Sequence, residues 1–181
     1  MTLRHLSPDL WSTDTMVRVG VRVGVDVGSV RVGLAVCDPS GVFASPLETV
    51  PRDLSDAHSD QARIAALVQE RDALEVVVGL PRSLSGAEGE AARLARVYAG
   101  QLAALLAPTR VRLVDERLTT VESHRKLREG GVAGRARRAV VDQAAAVLIL
   151  QSALDAESTS GRLPGELVRE RGRRPPRRGR R

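Results

Sequence analysis

Three acidic positions stand out in a chain otherwise dominated by Val, Leu, Ala and Arg: Asp26, the adjacent pair Asp115-Glu116, and Asp142. Asp26 lies near the end of an alternating Val run in VRVGVRVGVDVGSVRVGLAV, directly before the turn at Gly28-Ser29. A carboxylate inside an apolar hairpin is unfavourable to bury unless something pairs with it. Each position has an ordinary explanation. Asp26 suits a solvated edge or turn cap, Asp115 or Glu116 a strand-end cap or a partner for Arg117, and Asp142 the positive end of a helix dipole. Jointly they suggest more, because carboxylates at strand C-terminal ends and at a nearby helix converge where open α/β sheets place their sites. A carboxylate cluster without His or Cys suits a hard cation such as Mg2+ or Mn2+, and it repels itself unless cations neutralise it. Two such ions about 4 Å apart would activate a water and stabilise the leaving oxygen of a phosphodiester. His5, His58 and His124 sit in dissimilar contexts, which argues against a histidine-based mechanism.

The elements that would position these groups follow from periodicity. Odd positions from Val17 to Val27 are all Val, a strand pattern, and a second strand runs from Val32 to Cys37. After the turn Asp38-Pro39-Ser40-Gly41 a third strand is expected near Leu47–Val50, and connections this short make the three an antiparallel meander. A helix follows over Ser59–Arg71, with Ile64, Leu67 and Val68 on one face. Glu75–Leu80 reads as a buried parallel strand, Pro81–Gly89 as a loop, and the next helix ends at Leu106 before Pro108. A strand Val111–Asp115, a helix from Thr119 or Thr120 with those residues as caps, and a last helix over Ala139–Ala156 complete the order. The prediction is an α/β fold: a mixed five-stranded sheet, three-strand meander first, then alternating α and β, with helices on both faces. Residues 1–16 are read as a flexible extension, 17–156 as one domain, and 157–181 as a disordered Arg-rich tail.

Composition narrows the function. The formal charge of +6 belongs to the end of the chain: Arg169–Arg181 holds eight Arg and one Glu, and the other 168 residues carry 20 basic and 21 acidic groups. A nucleic-acid site on the body must therefore come from local clusters, with the tail adding salt-sensitive phosphate attraction. Three scattered aromatics (Trp11, Phe43 and Tyr98, 2% of the chain) argue against base-stacking platforms. The single Cys37 excludes an internal disulfide, no segment matches a membrane span, and the N-terminus lacks a signal-peptide apolar core. A cytoplasmic protein without membrane contact is expected.

The segments DVGSVRVGLAVCDPSG, FASPLETV, VVGLPRSLSGAEG, DERLTTVES and AVVDQAAAVLILQSAL occur in an order and spacing that resembles the YqgF family of small RuvX-type proteins. That family is named for Holliday junction resolution and for nuclease action on pre-16S rRNA. The resemblance runs from about Arg22 to Leu154, with DERLTT and the VDQAAAVLILQ helix its specific motifs. It implies a ribonuclease H-like fold and a divalent-metal nuclease. It carries Asp26 over as the first-strand metal ligand and Asp142 as the last-helix ligand, with Glu116 before Asp115 as the second acidic position. Ser85 stands where many members carry Asp. Arg31, beside the Asp26 turn, and Arg117 become candidate phosphate contacts. So do Arg135, Arg137 and Arg138, since guanidiniums at a helix start make an anion site.

The expected activity is metal-dependent hydrolysis leaving a 5′-phosphate and a 3′-hydroxyl. The expected partners are structured RNA, pre-16S rRNA above all, with ribosomal precursor particles or branched DNA as alternatives, and the chain acts as a monomer or weak homodimer. Three rival readings stand against this. An actin- or sugar-kinase-like ATPase would need a second such domain and about twice the length. A non-catalytic ribosome assembly factor has no support in a chain that fills all three acidic positions. A junction resolvase needs a dimer, and no dimer face is evident.

Overall fold

The computed structural model describes residues 18–83, 85–118 and 135–169. Its strands are β1 (Arg22–Val27), β2 (Arg31–Cys37), β3 (Ala44–Pro51), β4 (Glu75–Leu80), β5 (Arg110–Asp115) and β6 (Glu166–Leu167). Its helices are α1 (Ser59–Glu70), α2 (Glu90–Leu106) and α3 (Arg135–Ser160), and a 3-10 turn over Glu116–Leu118 follows β5. The sheet runs β3-β2-β1-β4-β5-β6. β1, β2 and β3 pair antiparallel, β1, β4 and β5 parallel, and β6 antiparallel to β5. The expected meander and alternating half are present, and the sheet has six strands where five were expected. The sixth is two residues long and exposed on both, too short to leave a periodic signal. Prolines 46 and 51 fall on β3, the edge strand, where a missing N–H does least harm.

Side-chain alternation sorts the sheet into two faces. Val23, Val25, Val32, Leu34, Val76, Val78, Leu80, Val111 and Leu113 pack against Ile64 and Leu67 of α1 and Tyr98 and Leu102 of α2. The opposite residues, Ala35, Cys37, Val77 and Val114, pack against Ala146, Ile149, Leu150, Ala153 and Leu154 of α3. Burying this apolar surface at roughly 25 cal/mol per Å2 is the main stabilising term. Beneath the first face, buried Asp60 accepts hydrogen bonds from the Tyr98 hydroxyl (3.1 Å) and the Gln61 backbone N (2.9 Å), and Arg52 Nε stands 3.2 Å away as its ion-pair partner. Arg52 also covers the Tyr98 ring at 4.6 Å, so one charge-assisted cluster ties α1, α2 and the end of β3 together.

Two boundaries differ from expectation. α3 begins at Arg135, not Ala139, because Ala and Arg are good helix formers and no breaker follows Gly134. Arg135, Arg137 and Arg138 therefore belong to the helix and do not precede it, and Asp142 sits two turns in, not in the first turn. The helix also runs past Ala156 to Ser160, and Glu157 is buried. There it meets an ion-pair network at the N-terminal ends of the parallel strands. Arg18 reaches Glu157 at 2.8 Å and Glu75 at 3.0 Å, Arg22 reaches Glu157 at 3.2 Å, and Arg112 reaches Glu75 at 2.8 Å. Residues 1–17, 119–134 and 170–181 lie outside the described residues, and with them the expected extension, the Thr119 or Thr120 helix and the Arg-rich end.

Candidate functional site

The C-terminal ends of β1, β4 and β5 share one edge of the sheet, opposite the Arg18–Glu157 network. Asp26 is the penultimate residue of β1 and pairs in register with Gly33 of β2. Cross-strand partners point to the same face, here the α3 face. A Cβ on Gly33 would collide with the Asp142 backbone carbonyl, so the missing side chain is what lets α3 settle onto β2. Asp26, Gly33 and Asp142 thus form one column.

Glu116 joins from the other side. Val25 of β1 pairs with Val78 of β4, and one step further on each strand lie Asp26 and Gly79. A Cβ on Gly79 would stand 2.8 Å from Glu116 Oε1 and 2.6 Å from Ile149 Cδ1. The glycine makes room for the Glu116 carboxylate over β4, next to the Asp26 column.

Asp115 points elsewhere. It pairs with Leu80, a residue of the α1/α2 face. Arg117 donates to it from its backbone N (3.0 Å) and from Nη2 (2.6 Å), and Arg82 Nη1 lies at 3.6 Å. The Arg117 hydrogen bond above all holds the Asp115 carboxyl below its ordinary range. Arg82 turns its other terminal nitrogen to Glu88 at 2.8 Å. Glu88 also takes two 2.7 Å bonds from Arg96, which with Arg82 pull its carboxyl down to about 2.

Arg31 contacts the site directly, with Nε 2.7 Å from Asp142 Oδ2 and both side chains about a quarter exposed. The structure therefore brings Asp26, Glu116, Asp142 and Arg31 to the α3 face, and Asp115 with Arg117 to the other. The Arg135, Arg137 and Arg138 side chains lie outside the described residues. Sequence reasoning missed Arg82, whose one signal was its place directly after Pro81 at the end of β4. It read Gly79-Leu80-Pro81 as a close backbone approach to the site or a plain turn, and it missed the role of Gly33, legible as a glycine in an otherwise apolar strand.

The donor chemistry on the α3 face suits a hard divalent cation: Asp26, Glu116 and Asp142 offer carboxylate oxygens only. Among the described residues no three carboxylate, His or Cys side chains are grouped closely enough to hold a metal as they stand. Asp142 is neutralised by Arg31 instead. No helix of the described residues is long and apolar enough to cross a membrane.

The comparisons with known proteins agree with one another. The model of the family described as "RuvX: Holliday junction resolvase" matches residues 20–156. A relative from Nocardioides sp. is 57% identical over 85% of this chain and 99% of its own length. Another, from Streptomyces avermitilis, is 53% identical over 84% and 96%. Both carry the name "Putative pre-16S rRNA nuclease". Among solved structures, Thermus thermophilus RuvC in complex with a Holliday junction substrate aligns over 80% of this chain and 99% of its own. Its TM-score is 0.51 at 15% identity. That likeness establishes the ribonuclease H-like fold.

Proposed function

The chain belongs to the RuvX family, and from that premise we propose that it is a metal-dependent nuclease that hydrolyses phosphodiester bonds at the 5′ end of pre-16S rRNA. The observation that supports the reading is that three carboxylate residues lie on the α3 side at the strand ends. Asp26 pairs with Gly33, which faces the Asp142 backbone, and Glu116 lies over Gly79. Asp26, Glu116 and Asp142 would hold Mg2+ or Mn2+. Bound there, the ions would neutralise the scissile phosphate and supply a nucleophilic water.

The chain's own residues do the rest. Arg31, 2.7 Å from Asp142, balances that carboxylate in the unloaded protein. It is free to turn to a backbone phosphate once a cation takes over its partner. The α3 face is closed below by Ile149 and Leu150, both fully buried, which keeps bulk water to one side and strengthens each charge interaction above. Arg117, Arg135, Arg137 and Arg138 complete the proposed contacts to the nucleic-acid backbone. Cytoplasmic action on ribosomal precursor particles belongs to the same reading.

Junction cleavage is the second reading, favoured by the family's description and by the RuvC likeness. The deciding experiment is cleavage by purified protein in Mg2+, Mn2+ or EDTA, on a pre-16S 5′-end RNA and on a four-way DNA junction. Asp26→Asn is run alongside. RNA cut by wild type with metal, and not by Asp26→Asn, is the expected result. Preferential junction cutting would move the function to recombination, and equal cutting by Asp26→Asn would remove Asp26 from the mechanism.

A further inference from the structure

Beside Arg117, at the same edge of the sheet, a second arginine, Arg82, is left without a role by this chemistry. Arg82 comes two residues after β4 and Arg117 two residues after β5, so neighbouring parallel strands deliver both guanidiniums to Asp115, at the same end of the sheet as Glu116. Asp115 lies between them. Arg117 takes the short bonds to that carboxylate, at 2.6 and 3.0 Å, whereas Arg82 Nη1 stands off at 3.6 Å. The Asp115–Arg117 pair is therefore complete without Arg82. Among the described residues Arg82 Nε is buried with no hydrogen-bond partner, an unmet donor that costs stability.

The cluster is cross-linked by ion pairs: Arg82, Arg96 and Arg117 face Glu88, Asp115 and Glu166 at close range. Both outer arginines are held in place yet remain open to solvent, with side chains 29% and 37% exposed. Gly86, at φ 85°, brings the 81–89 loop against the Arg117 head, where a Cβ would stand 3.3 Å from Nη1. Guanidiniums fixed in this way lose little conformational freedom on meeting an oxyanion.

We propose that Arg82 and Arg117, spaced by Asp115, form a two-guanidinium clamp on the phosphodiester backbone of the RNA strand that passes Glu116. Asp115 is then a positioning residue and not a metal ligand. The identity of the strand rests on the nuclease reading above; the clamp itself is read from binding alone.

The test uses the full chain in EDTA, where nothing is cut. Affinity for a fluorescein-labelled 20-nucleotide single-stranded RNA is followed by anisotropy at several KCl concentrations. Arg82→Gln should weaken binding by about tenfold and lower the salt slope by about one. Arg93→Gln, at an exposed arginine on α2 paired with Glu90 among the described residues, should leave both unchanged. Asp115→Asn separates positioning from plain charge. Removing a negative charge should tighten anion binding, but loss of the anchor should loosen it several-fold, and thermal melts confirm that each variant is folded.

Unchanged affinity in Arg82→Gln, tighter binding in Asp115→Asn, or wild type that does not bind the RNA would each overturn the clamp. Wild type that binds as expected but never cuts in Mg2+ or Mn2+ would instead sink the nuclease reading and leave the clamp standing.

Discussion

Asp115 and Glu116 are neighbours in the chain and serve opposite faces of the sheet. The cause is local. Asp115 is the last residue of β5 and keeps its alternation, on the side of Leu113 and Leu80. Glu116 opens a 3-10 turn that swings its carboxylate over Gly79. The sequence showed an acidic pair at a strand end and no more, since the turn is set by contacts with β4 and α3. The two substitutions should therefore part company. Glu116→Gln should lower kcat on the RNA substrate by on the order of a hundredfold or more, as expected when charge stabilisation of the reacting phosphate is lost. Asp115→Asn should keep kcat within about threefold at saturating substrate. Steady-state kinetics on the two variants checks this, and equal losses of kcat would return Asp115 to the metal site.

At the scale of elements, the docking of α3 onto the meander decides whether the acidic residues meet. The strands and α1 were legible because Val alternation and the Ile64, Leu67, Val68 stripe are strong periodic signals. The start of α3 was not. Its first turn reads RARR, which looks like a polar loop, and only the helix propensity of Ala and Arg continues it back to Arg135. The consequence for Asp142 is physical. Two turns from the helix start, it gains little from the dipole, and its partner is Arg31 across the interface. Gly33 is the hinge of this arrangement. Gly33→Ala places a methyl group against the Asp142 backbone carbonyl, which no side-chain rotation can relieve. It should cost about 1–3 kcal/mol by overpacking, or several degrees in Tm for a domain of this size. Thermal denaturation measures it; an unchanged Tm would mean that α3 does not bear on β2 as described.

Across the whole molecule, the two ends of the parallel strands carry different work. The C-terminal ends hold the proposed site, and the N-terminal ends hold the network of Arg18, Arg22, Glu75, Arg112 and Glu157. Burial acts to raise the Glu157 carboxyl, but the Arg18 hydrogen bond and the charges of Arg22 and Arg18 outweigh it, and the net direction is down. Such a group stabilises the fold above its unfolded value of roughly 4.3 and loses that contribution as pH falls through the lower folded value. The expected tail boundary at Ala156 was blind to this network because Glu157 follows an ordinary helical stretch, and its partners lie 135 or more residues away. Truncation shows the difference. A chain ending at Arg169 should keep the full-length Tm, whereas one ending at Ala156 loses Glu157 and β6 and should melt several degrees lower or fail to fold. Equal melting of both would mean that the network is ornamental.

β6 has one more consequence. Its pairing with Arg112 and Leu113 occupies backbone groups of β5 that would otherwise stand open at that border of the sheet, where a strand from another chain could add on. Two residues thereby guard the border against edge-to-edge association.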